Sequence, residues 1–197
     1  MGIKRYVANK DGTITNAFLD DLETRATGSN MGASDVLEVF SIIGQASFVD
    51  KSHTSESVEL SRTLIQFPIS EISSDRDSSS IPASGSVSFY LRMFNAAHSQ
   101  TTPRNFTLDI LPVEQAWQEG TGLDMETYSD LVHENEGATW VSASNSAAWN
   151  TPGGDFYTAS WGHTAQFDFG NEDVEVDITE LVEEWIQGSE ISNYGAL

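Results

Sequence analysis

Two hydrophobic periods organise the chain. Over residues 86–94, Val87, Phe89, Leu91 and Met93 alternate with Ser88, Tyr90 and Arg92, the period-two pattern of a strand with one face on a core and the other in water. Phe106, Leu108 and Ile110 repeat the pattern, as do Val174, Val176 and Ile178 against Glu175 and Asp177. The period then lengthens. Leu181 with Trp185 and Val182 with Ile186 fall four apart, which predicts a short helix with an apolar stripe, Glu183 and Glu184 turning away from it. Asp177 or Thr179 is placed to cap its start, and Gly188 to stop it. A further strand is expected over residues 36–43. Alternation is less regular over 58–67, where Thr63, Ile65 and Phe67 are expected to face inward together. Pro68 ends that strand or confines it to an edge, because proline cannot donate to a ladder. Residues 44–57 and the Ser- and Asp-rich residues 70–80 read as loops. The pattern predicts an all-β protein: a single antiparallel β-sandwich with one short C-terminal helix before the last strand.

The segment Asp173-Val-Glu-Val-Asp-Ile-Thr-Glu-Leu-Val-Glu-Glu-Trp-Ile-Gln-Gly188, followed by Asn193-Tyr-Gly195, resembles the closing segment of the DNRLRE-type β-jelly-roll domains. The resemblance continues upstream in the order of that family. Asn30-Met-Gly32 precedes the strand expected at 36–43, Arg62-Thr-Leu-Ile-Gln-Phe67 follows, and Ile81-Pro82 precedes 87–94. Trp117-Gln-Glu-Gly120 and Ala138-Thr-Trp140 complete the series, so it spans nearly the whole chain. The wording around residues 11–18, 24–38 and 122–126 is also similar to that of virion structural proteins of tailed phages, particularly marine ones.

The resemblance implies a jelly roll over residues 1–197, with or without a short N-terminal arm. It implies a non-enzymatic virion component of a tail, fibre or capsid surface, whose partners are other virion proteins, further copies of the chain and a host surface glycan. Related domains include carbohydrate-binding modules, so the alternative is a free-standing carbohydrate-binding module of a polysaccharide-degrading or cell-surface protein. Trp117, Trp140 and Trp185 sit in the family's structural motifs and are expected in the core. Two departures stand out: Pro68 replaces an acidic residue, and residues 120–137 form an acidic insertion where simpler members pass almost directly between the two tryptophan segments. After Asn193-Tyr-Gly195 the family continues with an apolar strand. Here Ala196-Leu197 follows, so that strand is unusually short or the natural chain is longer.

Composition narrows the partners. With 30 acidic against 9 basic side chains, the formal charge of −21 repels phosphate backbones and anionic headgroups, which argues against nucleic-acid or membrane-surface binding. The chain has no cysteine, which removes disulfides, thiolate catalysis and Cys-based zinc sites. No apolar run approaches the ~20 residues that span a bilayer, and residues 1–6 lack the apolar centre of a secretory signal. Assembly through an exposed strand edge or through the polar residues 9–15 is expected.

Candidate chemistry is sparse. The sequence has no Gly-x-Ser-x-Gly elbow, phosphate-binding glycine loop or His-Glu-x-x-His pair, and His53, His98, His133 and His163 are scattered, mostly in expected loops. No cofactor is implied, calcium aside. Asp124, Glu126 and Asp130 have the alternate-residue oxygen spacing of calcium loops. However, Ser129 stands where an EF-hand requires glycine and Asn135 where it requires a bidentate glutamate, so a solvated acidic loop competes. Trp149, Tyr157 and Trp161 lie among Gly, Ser, Thr and Asn residues, a composition suited to stacking on a sugar ring. Large aromatics that anchor turns against a core are the competing reading.

Overall fold

The computed structural model describes residues 2–19, 21–43, 58–98, 101–123, 137–158 and 160–197. These are mostly strands in antiparallel sheets, with two helices among the described residues. They form two compact units, one of Met1–Asn9, Phe67–Glu114 and Phe156–Ala196, the other of Lys10–Gln66, Gln115–Asp155 and Leu197.

In the second of these units, strands β1 (Lys10–Thr15), β2 (Ser41–Ile43) and β3 (Val58–Gln66) form a sheet in the order β1-β3-β2. Strand β3 is central, and its irregular alternation has a physical reason. Adjacent residues point to opposite faces, yet Leu64 (0% exposed) and Ile65 (8%) are both buried, so both faces are covered and period two fades. Leu64, rather than Thr63 or Phe67, is its deepest side chain. Within residues 9–15, named above for assembly, Lys10–Thr15 form β1, an edge strand paired along its length with β3, with Thr13, Ile14 and Thr15 buried. Of the strand expected at 36–43, only Ser41–Ile43 forms a ladder. Before β2 begins, side-chain bonds do most of the holding: Thr13 Oγ1 accepts from Glu38 N and Ser61 Oγ from Phe40 N, with one backbone bond from Ser61 N to the Phe40 carbonyl. A small hairpin, β6 (Ser142–Ser144) with β7 (Ala147–Ala148), completes this unit.

The helix-bearing unit contains β4 (Tyr90–Met93) paired with β9 (Val174–Asp177), and β5 (Phe106–Ile110) paired with β8 (His163–Phe167). Phe106 and Phe167 stack at 4.8 Å between ring centroids, the offset geometry that aromatic pairs favour. Both expected alternations hold: Leu91 and Ile110 are buried, while Tyr90, Arg92, Thr107 and Asp109 are exposed. Helix α2 (Thr179–Gln187) also forms as expected. Asp177 Oδ1 accepts from Thr179 N, and Gly188 closes the helix in the left-handed conformation at φ +64. Leu181, Val182 and Trp185 join Ile69, Ile72, Leu91, Ile110 and Ile178 in one apolar cluster.

Two expectations fail in this unit. Residues 70–80 are not a loop: Ile69–Asp77 is a helix, α1, started by the Pro68 carbonyl, which accepts from Glu71 N and Ile72 N. Serine and aspartate disfavour helix interiors because they compete for backbone groups, as Ser74 Oγ does by donating to the Ser70 carbonyl. Tertiary contacts override that tendency. Ile69 and Ile72 enter the core, and Arg76, on the same stripe, pairs bidentately with Glu183 at 2.6 and 2.7 Å. Nor do Glu183 and Glu184 turn away. Both are buried, Glu183 against Arg76 and Glu184 as acceptor for Ser189 Oγ, Glu190 N and Ile191 N.

Candidate functional site

Three of the sequence motifs meet at one buried side chain. Asn30, 1% exposed, donates from Nδ2 to the carbonyls of Glu119 (2.8 Å) and Ala138 (2.9 Å), and accepts at Oδ1 from Gly32 N (3.2 Å) and Gly122 N (2.9 Å). That uses both donors and both lone pairs of a carboxamide. The Ala138 N–H adds a bond to the Gln118 carbonyl, and Ala33 N one to Gly122 O. Asn30 therefore ties residues 119–122 to 138, at the two ends of the acidic stretch 120–137. The approach is so close that a Cβ on Gly32 would overlap the Glu119 carbonyl, one on Gly122 the Asn30 carbonyl, and one on Gly137 the Asn30 amide. The motif glycine Gly32, together with Gly122 and Gly137, is thus required by space rather than by φ.

The same unit holds a second knot. Thr139 accepts at Oγ1 from Ser142 N (3.1 Å), and its carbonyl accepts the Trp149 indole N–H at 2.9 Å. Asp155 collects Asn150 N, Asn150 Nδ2 and Thr151 N at 2.7–3.0 Å. Arg62 donates to the Gly153 carbonyl and lies over the Trp140 ring, 5.2 Å from its centroid. Burial lowers the Arg62 pKa from its ordinary value. At Glu119, whose carbonyl Asn30 binds, Asp11 N donates to Oε1 at 2.9 Å. Desolvation, with the Glu119 charge second, raises the Asp11 carboxyl.

The expected ligand residues fall apart on this description. Trp149, 5% exposed with its N–H satisfied, is a core side chain of this unit. Tyr157 and Trp161 belong to the other unit, where both are half-buried and pack against the apolar cluster. They keep part of their rings in water. Trp117, Trp140 and Trp185 are buried at 4%, 7% and 5% exposure. Asp124, Glu126 and Asp130 lie outside the described residues, as do His53 and His133. His98 is exposed, and His163 lies in β8 rather than in a loop. Among the described residues no group of three or more His, Asp or Glu side chains could hold a metal, and no helix is long and apolar enough to cross a membrane. Sequence reasoning singled out Asn30-Met-Gly32 as a motif but missed Asn30 as its centre. The glycines that recur around residues 120–122 and 137 were the available signal. Asp155 was missed too, although Asn150-Thr-Pro-Gly-Gly-Asp155 is dense in turn formers.

Comparison of the chain with protein-family models, curated proteins and solved structures returned no match.

Proposed function

We propose that the chain is a non-enzymatic structural module of a tailed-phage virion, a jelly roll in a tail, fibre or capsid-surface assembly, making subunit contacts and binding host glycans. The observation that carries this reading is the convergence at Asn30. The side chains that define the resemblance are spent on holding backbone together, as a scaffold requires. Part of the strand pairing supports the jelly roll: β4 with β9, β5 with β8, Val113 with Phe156 and β6 with β7 are nested in chain order, while the Pro112–Ala196 bridge and the β1-β3-β2 sheet stand outside that nesting. Nested pairing is what a single long antiparallel ribbon produces before it wraps into two sheets. Function on such a scaffold resides in what is grafted onto it. Mass spectrometry of purified particles should find this polypeptide at a fixed copy number, and consistent absence from particles would end the proposal.

The half-exposed rings of Tyr157 and Trp161 favour one alternative, a free-standing carbohydrate-binding module. A glycan array at seawater-like salt separates the two. A sugar-binding module binds as an isolated chain, and Trp161→Ala then weakens it while Trp149→Phe does not.

A further inference from the structure

Two phenyl rings of the helix-bearing unit stand largely in water, Phe94 at 72% and Phe169 at 59% exposure, and each has an arginine 5.8 Å from its centroid. Their arginines differ. Arg92, beside Phe94, is bonded to Glu175 at 2.9 Å. Arg104, beside Phe169, pairs with no carboxylate among the described residues, although acidic side chains outnumber basic ones 30 to 9. Nor does Arg104 press on its ring as Arg25 does on Phe18, at 4.0 Å from the centroid. Phe169 therefore keeps an open ring beside an uncommitted guanidinium.

A fixed turn holds that ring out. The Glu172 carboxylate accepts the N–H groups of Asp168, Phe169, Gly170 and Asn171 at 2.7–3.0 Å. Thr102 Oγ1 donates to the Phe169 carbonyl at 3.0 Å and Asn105 N to the Asp168 carbonyl at 3.3 Å, while Gly170, at φ +79, has no room for a Cβ beside Pro103 and Thr102. Residues 168–171 are thus fastened to 102–105. Between them lies an open depression of about 510 Å3 lined by Thr101, Thr102, Arg104, Phe169 and Asn171, within the roughly 300–1,000 Å3 of small-ligand sites. The side chains of Thr101, Arg104 and Asn171 make no hydrogen bond to the described residues, so their donors are free for a ligand, and a turn already ordered lowers the entropic cost of binding one. A flat apolar face beside guanidinium, carboxamide and hydroxyl groups matches a sugar, whose C–H face lies on the ring while its hydroxyls take the polar groups. Charge then selects among sugars: −21 on the chain works against an anionic glycan. The open mouth admits an internal stretch of a polymer.

We propose that Thr101, Arg104, Phe169 and Asn171 form a binding site for a neutral hexose polymer, with Phe169 as the platform and Arg104 and Asn171 bonding its hydroxyls. The inference rests on the glycan-binding part of the reading above and puts it at the turn between β8 and β9 rather than at Tyr157 and Trp161. Isothermal titration of the full chain at physiological ionic strength with soluble neutral glucan, mannan and galactan, and with a uronic-acid polymer as the acidic arm, should show binding to at least one neutral polymer. Phe169→Ala and Arg104→Ala, both in exposed side chains, should each weaken it by about tenfold or more without lowering the melting temperature. Arg5→Ala, the same charge change at another exposed cation, should leave it within about twofold. Binding confined to the uronic-acid polymer, neutral binding that survives Phe169→Ala or Arg104→Ala, or equal weakening by Arg5→Ala would overturn this site and leave glycan binding itself standing. No binding to any polymer would remove both.

Discussion

The two units solve one problem with different mixtures of chemistry. Both must satisfy irregular backbone between short strands. In the helix-bearing unit ionised carboxylates do it: Glu172 gathers the 168–171 turn, Glu184 receives the chain beyond α2, and Asp177 starts that helix. In the other unit neutral connectors, Asn30, Thr13 and Thr139, share that work with the buried carboxylates of Asp155 and Glu59. The pKa directions follow. Hydrogen bonds from Thr179 and from the Glu190 backbone hold Asp177 and Glu184 below their ordinary values. Every carboxyl named in the helix-bearing unit is thus held down by the bonds it accepts, whereas the other unit carries two, Asp11 and Glu38, that burial pushes up.

The largest expected effect is at Asn30. Replacing it with alanine leaves two carbonyls and two N–H groups without their partner at a buried point, and each buried orphan costs about 1–3 kcal/mol. Asn30→Ala should therefore lose about 4 kcal/mol or more in urea unfolding, and Asn30→Asp should not rescue it, because a carboxylate cannot donate to Glu119 O and Ala138 O. Wild-type stability in Asn30→Ala would show that the neutral connectors are replaceable. Next comes the charged counterpart. Arg76→Ala strands Glu183 beside the apolar cluster, for an expected cost of about 3 kcal/mol. The double change Arg76→Met with Glu183→Leu should recover most of that loss, since two buried charges are removed together. If the double variant were as unstable as the single one, the ion pair would hold α1 in a way that packing cannot.

Gly188→Ala is smaller, about 1 kcal/mol, because the site has open space and only the φ of +64 resists a side chain. It contrasts with Gly122→Ala, where φ is ordinary but the Asn30 backbone occupies the space. Thermal melts should rank Gly122→Ala well below Gly188→Ala, and a reversed order would mean that the backbone around Asn30 yields easily.

What was legible in the sequence depended on whether one element or two decided a residue's place. Strands β4, β5 and β9 and helix α2 carry their own period, and Asp177 and Gly188 mark the ends of that helix within the same stretch of chain. Helix α1 was illegible because its stripe has only Ile69, Ile72 and Arg76, and the last reads as polar until Glu183 is set beside it. Glu183 failed for the same reason: a carboxylate 107 residues from its arginine has no local signature. Glu184 failed for another, because its partners Ser189, Glu190 and Ile191 lie past Gly188, outside the helical period that placed it. Trp149 could be narrowed to core or ligand platform by composition, but only the Thr139 carbonyl that takes its indole N–H places it.

The smallest effect is also the most direct test of the contrast between units, because acid should act on them with opposite sign. A carboxyl whose folded pKa is raised binds its proton sooner in the folded state. Asp11 and Glu38 therefore oppose folding at neutral pH, and that opposition fades as pH falls toward the ordinary carboxylate range near 4. A carboxyl whose folded pKa is lowered is protonated first in the unfolded chain. The stability contributed by Asp75, Asp177, Glu172 and Glu184 is thus intact above that range and is lost as pH falls through and below it. Asp21, held down by Thr24 in an exposed turn, is the one depressed carboxyl among the described residues of the unit that holds Asp11 and Glu38, and should blunt its gain at the lowest pH. Residue-level hydrogen exchange, corrected for intrinsic rates between pH 6 and 3, should show β1 and β3 amides holding or gaining protection down to about pH 4. Amides of α2 and of residues 168–171 should lose theirs below it. Loss beginning in β1 and β3 would mean that burial of Asp11 and Glu38, rather than ionised acceptors, sets the acid limit of the fold.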